Sequence, residues 1–370
     1  MRILFVPMFR HPRGAGPAPA SDSLGFGITC SDALVYGLRG LGGLGASVTV
    51  TQSAAGRRAA WIGEIIGHVE NAAATGRYDV ILAFHAFWPF TSDLRRALDD
   101  TAPLPLVTYT HGSHWDETDL FRFERYPRLG WADLGNLAAA DRVLLVSEYM
   151  RDTIVRNVGT ASPAAASELA PRLRVVGLPL DLRRIDAAYR TRDSDHPTIV
   201  YNHAPIAAKR PGVFLDVAES VLADTAANVL ITRHMPPATP WAAKLTSLVQ
   251  QFPNRVICGE DLPVDAYYAA LWRSQVQVST ATHESLGVAT LEAMATGNQC
   301  LLPRIGAYPE IAADDPAVLY SGVAELRDRL VRAAARPDAE RASAHCARIR
   351  DAYSPKRVAA AVYAVLCEVA

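Results

Sequence analysis

Short runs of β-branched and aliphatic residues alternate along this chain with alanine-rich stretches of helical periodicity, a pattern that predicts parallel sheets covered by helices on both faces. In the first half the strand-like runs are residues 2–6, 46–51, 80–84, 106–110, 142–147 and 174–176, and helices are predicted between them at residues 27–41, 59–74 and 131–139. The second half repeats the scheme, with strands predicted at residues 198–201, 229–232, 255–258, 276–279 and 299–302. The expected fold class is therefore α/β, with two doubly wound Rossmann-like domains.

The pattern breaks across residues 177–190, where GLPLD interrupts the strands and the polar stretch YRTRDSDHP leads into a new apolar run. This divides the chain into an N-terminal domain at 1–180 and a second domain at 181–352, with a final helix, 353–370, expected to return to the first domain. The alanine-rich patch at 161–166 reads as a flexible loop tip. A ligand is expected in a cleft between the domains, at the carboxyl ends of strands.

The chain's 370 residues suit two domains, each long enough to bury its own core. Half of the residues are hydrophobic and 20% are charged, as in an ordinary globular enzyme. The formal net charge of -1 offers no bulk basic surface for nucleic acid. The opening MRILFVPMF reads as a buried strand, and no run reaches the ~18 apolar residues that span a bilayer. A cytoplasmic location without stable membrane insertion is expected. Cys30, Cys258, Cys300, Cys346 and Cys367 are odd in number and scattered, which argues against both a disulfide framework and a zinc site.

The segment STATHESLGVATLEAMATG, residues 279–297, carries the strongest chemical signal. An apolar strand ends near His283, and a helix is expected to start at Leu286 or Gly287. Were Glu284 and Glu292 both helical, they would stand about 12 Å apart. A glycoside hydrolase needs its carboxylates ~5 to 9.5 Å apart, so the spacing better suits two acceptors along one long ligand. First-turn amides between them could take phosphate oxygens, and Gly287 would permit close approach. Taken singly, the two residues could also be a helix-dipole partner and a solvated helix residue. A second element, YNHAPIAAKRPGVF at 201–214, puts Lys209 and Arg210 at a helix mouth, where two cations oppose the dipole unless an anion lies between them.

The segment at 279–297 resembles the E-x7-E motif of retaining GT-B transferases in glycosyltransferase family 4, including the continuation E-A-M-A-x-G at 292–297. The following PRIGAYPEI, residues 303–311, is similar to the subset of that family that mannosylates queuosine in tRNA. The resemblance implies the GT-B fold and a retaining, metal-independent hexosyltransferase without a cofactor, using a nucleotide-diphosphate sugar as co-substrate. It further implies that Glu292 holds the donor ribose and Glu284 faces the sugar. Leu286, Gly287 and Val288 would touch the sugar and diphosphate through their amides. His283 would support the loop. Lys209 matches the family lysine that neutralises the leaving diphosphate. Ala204 stands where the family has an arginine, leaving Arg210 or Arg233 as replacements. Residues 256–259 resemble the stretch that reads the nucleotide base through main-chain groups.

For the acceptor side, residues 106–119 deliver His111 to the carboxyl end of a strand, where the resemblance puts a histidine near the anomeric carbon. Asp116 and Glu117 are candidates for orienting an acceptor hydroxyl, with solvated loop charges as the alternative. Gly25 and Gly27 resemble a family loop that approaches the donor phosphates, although they lie too far after the first strand for a dinucleotide fingerprint. Asp193-Ser194-Asp195 formally reads D-x-D, but it falls in a linker far in sequence from residues 284–292. A pair formed by His111 and His114 lacks a third metal ligand. The expected acceptor is a small polar molecule such as a natural product. A modified nucleoside in tRNA, or a sugar-nucleotide epimerase of the same fold, is the alternative.

Overall fold

The computed structural model describes residues 1–8, 26–53, 57–86, 90–192, 195–258 and 261–370. The chain forms two units, Met1–Asp181 together with Tyr353–Ala370, and Leu182–Ala352. Each is built on one six-stranded sheet whose strand pairs are all parallel.

In the N-terminal unit the strands are β1 (Arg2–Val6), β2 (Ser47–Val50), β3 (Val80–Ala83), β4 (Leu106–Thr110), β5 (Arg142–Leu145) and β6 (Leu173–Val175), in the order β2-β1-β3-β4-β5-β6. Between them run α1 (Phe26–Arg39), α2 (Arg58–Thr75), α3 (Thr91–Asp99), α4 (Pro127–Ala138), α5 (Glu148–Ala161) and α6 (Pro163–Leu169). Every residue of β3 and β4 is buried, because a parallel strand inside a doubly wound sheet is covered on both faces. Helix α2 buries Trp61, Ile65, Val69 and Ala72 on one stripe against Leu4, Ile81 and Leu106. It stops at Gly76, whose φ of 58° is the left-handed cap a glycine adopts without strain.

The C-terminal unit contains α7 (Leu182–Ala187), β7 (Thr198–Tyr201), α8 (Pro211–Asp224), β8 (Asn228–Ile231), α9 (Ala242–Gln251), β9 (Val256–Ile257), α10 (Val264–Arg273), β10 (Val276–Val278), α11 (Val288–Ala295), β11 (Gln299–Pro303), α12 (Tyr308–Ile311), β12 (Leu319–Tyr320), α13 (Val323–Ala335) and α14 (Ala339–Ala352). The strand order is β12-β11-β10-β7-β8-β9. Its core gathers Phe214, Leu215, Val221 and Leu222 of α8 and Leu326 and Leu330 of α13 against Ile199, Val229 and Val276 of the sheet. The last helix, α15 (Pro355–Cys367), packs on α1 of the N-terminal unit.

Three expectations change. Residues 161–166 are not a loop tip. Ser162 accepts from the Ala165 amide as an N-cap, Pro163 follows it, and Ala166 and Leu169 are buried on α6. Alanine favours helix, and a Ser-Pro start supplies the cap. The pattern break at 177–190 contains α7, whose Ile185 is buried and whose carbonyl accepts the Trp272 indole N–H at 2.7 Å. Strand β12, absent from the sequence reading, is only two residues long, too short to leave a periodicity.

Candidate active site

The strand order of the C-terminal unit reverses between β7 and β10. From β7 the chain builds outward through β8 and β9, then returns to add β10 on the other side. Open α/β sheets bind ligands outside the carboxyl ends of strands flanking such a point. Immediately after β7 come Asn202 and His203, and the loop after β10 leads through His283 and Glu284 to α11.

Glu284 lies before the helix rather than on it. Gly287, at φ 91°, is the N-cap of α11, and its backbone turn needs a glycine, since a Cβ there would come within 2.9 Å of the Tyr308 ring. The loop is pinned from below by Gly306, also at positive φ, where a Cβ would stand 2.3 Å from the Glu284 carbonyl oxygen. That carbonyl accepts the Ala307 amide at 3.1 Å. The Glu284 carboxylate receives Lys209 Nζ at 2.6 Å and the Tyr308 phenol at 3.1 Å, while Lys209 also donates to the His283 carbonyl at 3.0 Å. Both partners of the ion pair are largely buried, with side-chain exposures of 15% and 14%. Burial pushes the Glu284 carboxyl up, but Lys209 and the hydrogen bonds outweigh it and hold it below its ordinary value. The counter-anion of Lys209 is thus a carboxylate of the chain itself. Arg210 is exposed, adopts φ 46° and caps α8.

Glu292 sits one turn inside α11 and is 7% exposed. The Tyr267 phenol donates to its Oε2 at 2.7 Å and the Tyr268 phenol to its Oε1 at 3.0 Å. Burial raises its pKa, against the pull of both phenols and of Arg233. The Arg233 guanidinium lies 5.7 Å from the Tyr267 ring centroid, and its Nε is buried without a hydrogen-bond partner among the described residues. Asn202 joins the group by donating to the Tyr267 oxygen at 3.0 Å and to the Ala289 carbonyl at 2.7 Å. His203, 3% exposed, lies 3.0 Å from Gln277 Nε2. Burial, with Lys209 and Arg233 nearby, pulls its pKa down to about 3, so it is neutral at physiological pH. The Thr290 amide already bonds the Gly287 carbonyl at 2.9 Å, whereas the amides of Gly287, Val288 and Ala289 precede the intrahelical ladder. Lys209, Arg233, Glu284 and Glu292 therefore stand around a helix mouth that favours anions.

In the N-terminal unit β4 is followed directly by His111, whose ring stacks on Tyr109 at 5.5 Å and lies 4.7 Å from Phe84 and 5.2 Å from His85. Burial first, and His85 second, pull its pKa well below the ordinary value. His85 is itself lowered to about 4, chiefly by burial. The imidazole pair is therefore neutral. Asp116 is buried, and its carboxylate accepts the Thr118 amide and hydroxyl and the Tyr149 phenol. Glu117 is exposed and pairs with Arg156 and Asn157. These bonds give both carboxylates a use in holding the loop after β4. Asp133 of α4 supports the same loop, accepting from Ser113 Oγ at 2.6 Å and the His114 amide at 2.9 Å.

The structure gathers Lys209, Arg233, Glu284, Leu286, Gly287, Val288 and Glu292 around the α11 mouth, and leaves Arg210 on the surface. Gly27 is the second residue of α1. Gly25, Asp193, Ser194 and Gly259 lie outside the described residues. Sequence reasoning missed His203, Asn202, Gln277, Tyr267, Tyr268 and Tyr308. The NH pair directly after the 198–201 strand was a readable signal, but the tyrosines reach the site only through the packing of α10 and α12. Among the described residues no group of three His, Cys, Asp or Glu side chains could hold a metal ion. No helix among them is long and apolar enough to cross a membrane.

Residues 44–172 match the sequence profile of Glycosyltransferase Family 4. The fold is similar to that of Anabaena HepE, solved in complex with UDP, at 15% identity and TM-score 0.67 over 100% of both chains. It is similar as well to sucrose-phosphate synthase from Thermosynechococcus elongatus, at 15% identity and TM-score 0.68 over 99% of this chain and 98% of that one. A glycosyltransferase from Rickettsia africae aligns at 13% identity and TM-score 0.67, covering 100% and 98%. The architecture is GT-B.

Proposed function

We propose that this protein is a retaining glycosyltransferase that moves a hexose-type sugar from a nucleotide-diphosphate donor to a hydroxyl of a small polar acceptor, without a metal. The observation that carries the reading is the α11 mouth, where a largely buried lysine, a buried arginine edge and two carboxylates surround the start of the helix. A dianionic diphosphate complements the cations and amides, while the carboxylates complement hydroxyl groups. Glycosyltransferase Family 4 similarity in the N-terminal unit and the UDP complex of HepE support the same reading.

In this mechanism Glu292 takes the donor ribose and Glu284 takes hydroxyls of the sugar. Lys209, held beside Glu284, and the amides of Leu286, Gly287 and Val288 face the diphosphate, with Arg233 as the second cation in place of the arginine absent at Ala204. As the anomeric C–O bond to the diphosphate breaks, charge accumulates on the departing oxygens, where preorganised donors act most strongly. The acceptor oxygen forms the new bond on the same face, and its proton passes to a diphosphate oxygen. His111, neutral and half-buried, is assigned to the transferred sugar as a hydrogen-bonding group. Arg210, exposed at the start of α8, is the alternative second cation.

The test is to incubate the protein with a panel of nucleotide sugars and polar acceptors, and to read products by mass spectrometry. A glycosylated acceptor, or slow donor hydrolysis without one, supports the proposal. Epimerised donor would show an epimerase instead, and product only with tRNA would move the acceptor to a modified nucleoside. Glu292→Ala should weaken nucleoside diphosphate binding by about 10- to 100-fold in calorimetry, the range for losing charged hydrogen bonds. Unchanged affinity would remove Glu292 from the site.

A further inference from the structure

We propose that Tyr267 and Tyr268 position the Glu292 carboxylate as a two-pronged acceptor for vicinal ribose hydroxyls, so that the site selects ribonucleotides over 2′-deoxyribonucleotides. The inference rests on the reading that the C-terminal unit binds a nucleotide sugar. The two tyrosines are consecutive on α10, their rings 5.3 Å apart, and each phenol takes one carboxylate oxygen. A carboxylate oxygen accepts two hydrogen bonds, so each prong keeps one acceptor direction beyond its phenol.

The direction of the hydrogen bonds is fixed by a relay. Gln277 Nε2 donates to Asn202 Oδ1 at 3.2 Å, and Asn202 Nδ2 donates to the Tyr267 oxygen at 3.0 Å. With its oxygen occupied by that donor, the one phenolic proton of Tyr267 is committed to Glu292. Both tyrosines are buried, and burial pushes the Tyr267 phenol well above its ordinary value, which keeps it a donor. No lysine or arginine among the described residues lies within ion-pair distance of Glu292, so two neutral phenols hold a buried carboxylate. A purely structural role would be met by a neutral amide. A group that only accepts is what a pair of hydroxyl donors requires.

The experiment compares UDP, ADP and GDP with their 2′-deoxy counterparts by calorimetry, using wild type, Tyr267→Phe, Tyr268→Phe and Glu292→Gln, each checked for folding by thermal melting. Wild type should prefer at least one ribonucleotide by about 10-fold or more, the discrimination expected when a buried acceptor loses its donor. In either tyrosine variant that ratio should fall at least ~3-fold, with weaker loss of deoxynucleotide binding, because only the ribose contact is misaligned. Loss of folding in one variant leaves the other to carry the comparison. A wild type that binds nucleoside diphosphates without discriminating the 2′-hydroxyl overturns the inference. So does an unchanged ratio in the folded tyrosine variants, while the nucleotide-sugar reading stands in both cases. A wild type that binds none of the nucleotides overturns that reading, and this inference with it.

Discussion

Lys209 and Glu284 share a buried ion pair, and truncating one partner strands the other charge away from water. On the proposed mechanism Lys209→Ala therefore acts twice, removing a donor to the leaving diphosphate and freeing Glu284 from its alignment. The expected result is kcat reduced about 100-fold, the scale for losing one preorganised donor at developing charge, with a smaller change in KM. Steady-state kinetics check it, and an unchanged kcat would remove Lys209 from the departing phosphate. The sequence put Lys209 and Glu284 in separate segments, 75 positions apart. Only their contact, together with Tyr308, shows that Glu284 is ionised and fixed in one orientation.

At the scale of elements, two loops depend on single residues that can be tested without touching a ligand. Gly306 lies at φ 53° with no room for a Cβ beside the Glu284 carbonyl. Gly306→Ala should lower stability by about 2–4 kcal/mol, the range for combined left-handed strain and a backbone clash, and displace Glu284 as it does so. Denaturant unfolding measures the first effect and turnover of the residual folded protein the second.

The loop after β4 has its own anchor in Asp133, whose carboxyl burial raises to about 6 despite bonds from Ser113 and His114. A raised folded pKa means that the folded state binds the proton more tightly. The associated stability is present below the unfolded value, near 4, and is lost as pH rises through 6. Asp133→Asn removes that loss. Its unfolding free energy relative to wild type should rise by about 3 kcal/mol between pH 4 and pH 7, and a difference flat with pH would refute the shift.

At the scale of the whole molecule, the last helix belongs to the first unit. Gly37 of α1 admits Pro355 so closely that a Cβ would lie 2.3 Å from the Pro355 carbonyl oxygen, and Val358, Val362, Val365 and Leu366 are buried. Those four side chains represent roughly 6–12 kcal/mol of burial, as much as the stability of a typical domain. Truncation after residue 353 should leave the N-terminal unit unfolded or aggregated, visible as lost cooperativity in thermal melting. A soluble, cooperatively melting truncation would contradict this packing.

What the sequence determined by itself is the alternation of apolar strands and amphipathic helices, hence two parallel α/β sheets, and the chemical character of residues 279–297. Both signals are local, written in periodicity and in motif order. The tertiary structure alone decided the strand order, which sets the reversal between β7 and β10, and so the convergence of Asn202 and His203 with the loop at Glu284. It also decided that α10 turns Tyr267 and Tyr268 onto Glu292, and that Lys209 meets Glu284 while its neighbour Arg210 faces solvent. Such contacts join residues tens of positions apart through packing that no window of sequence contains, whereas burial and charge in the folded chain fix which of them can act.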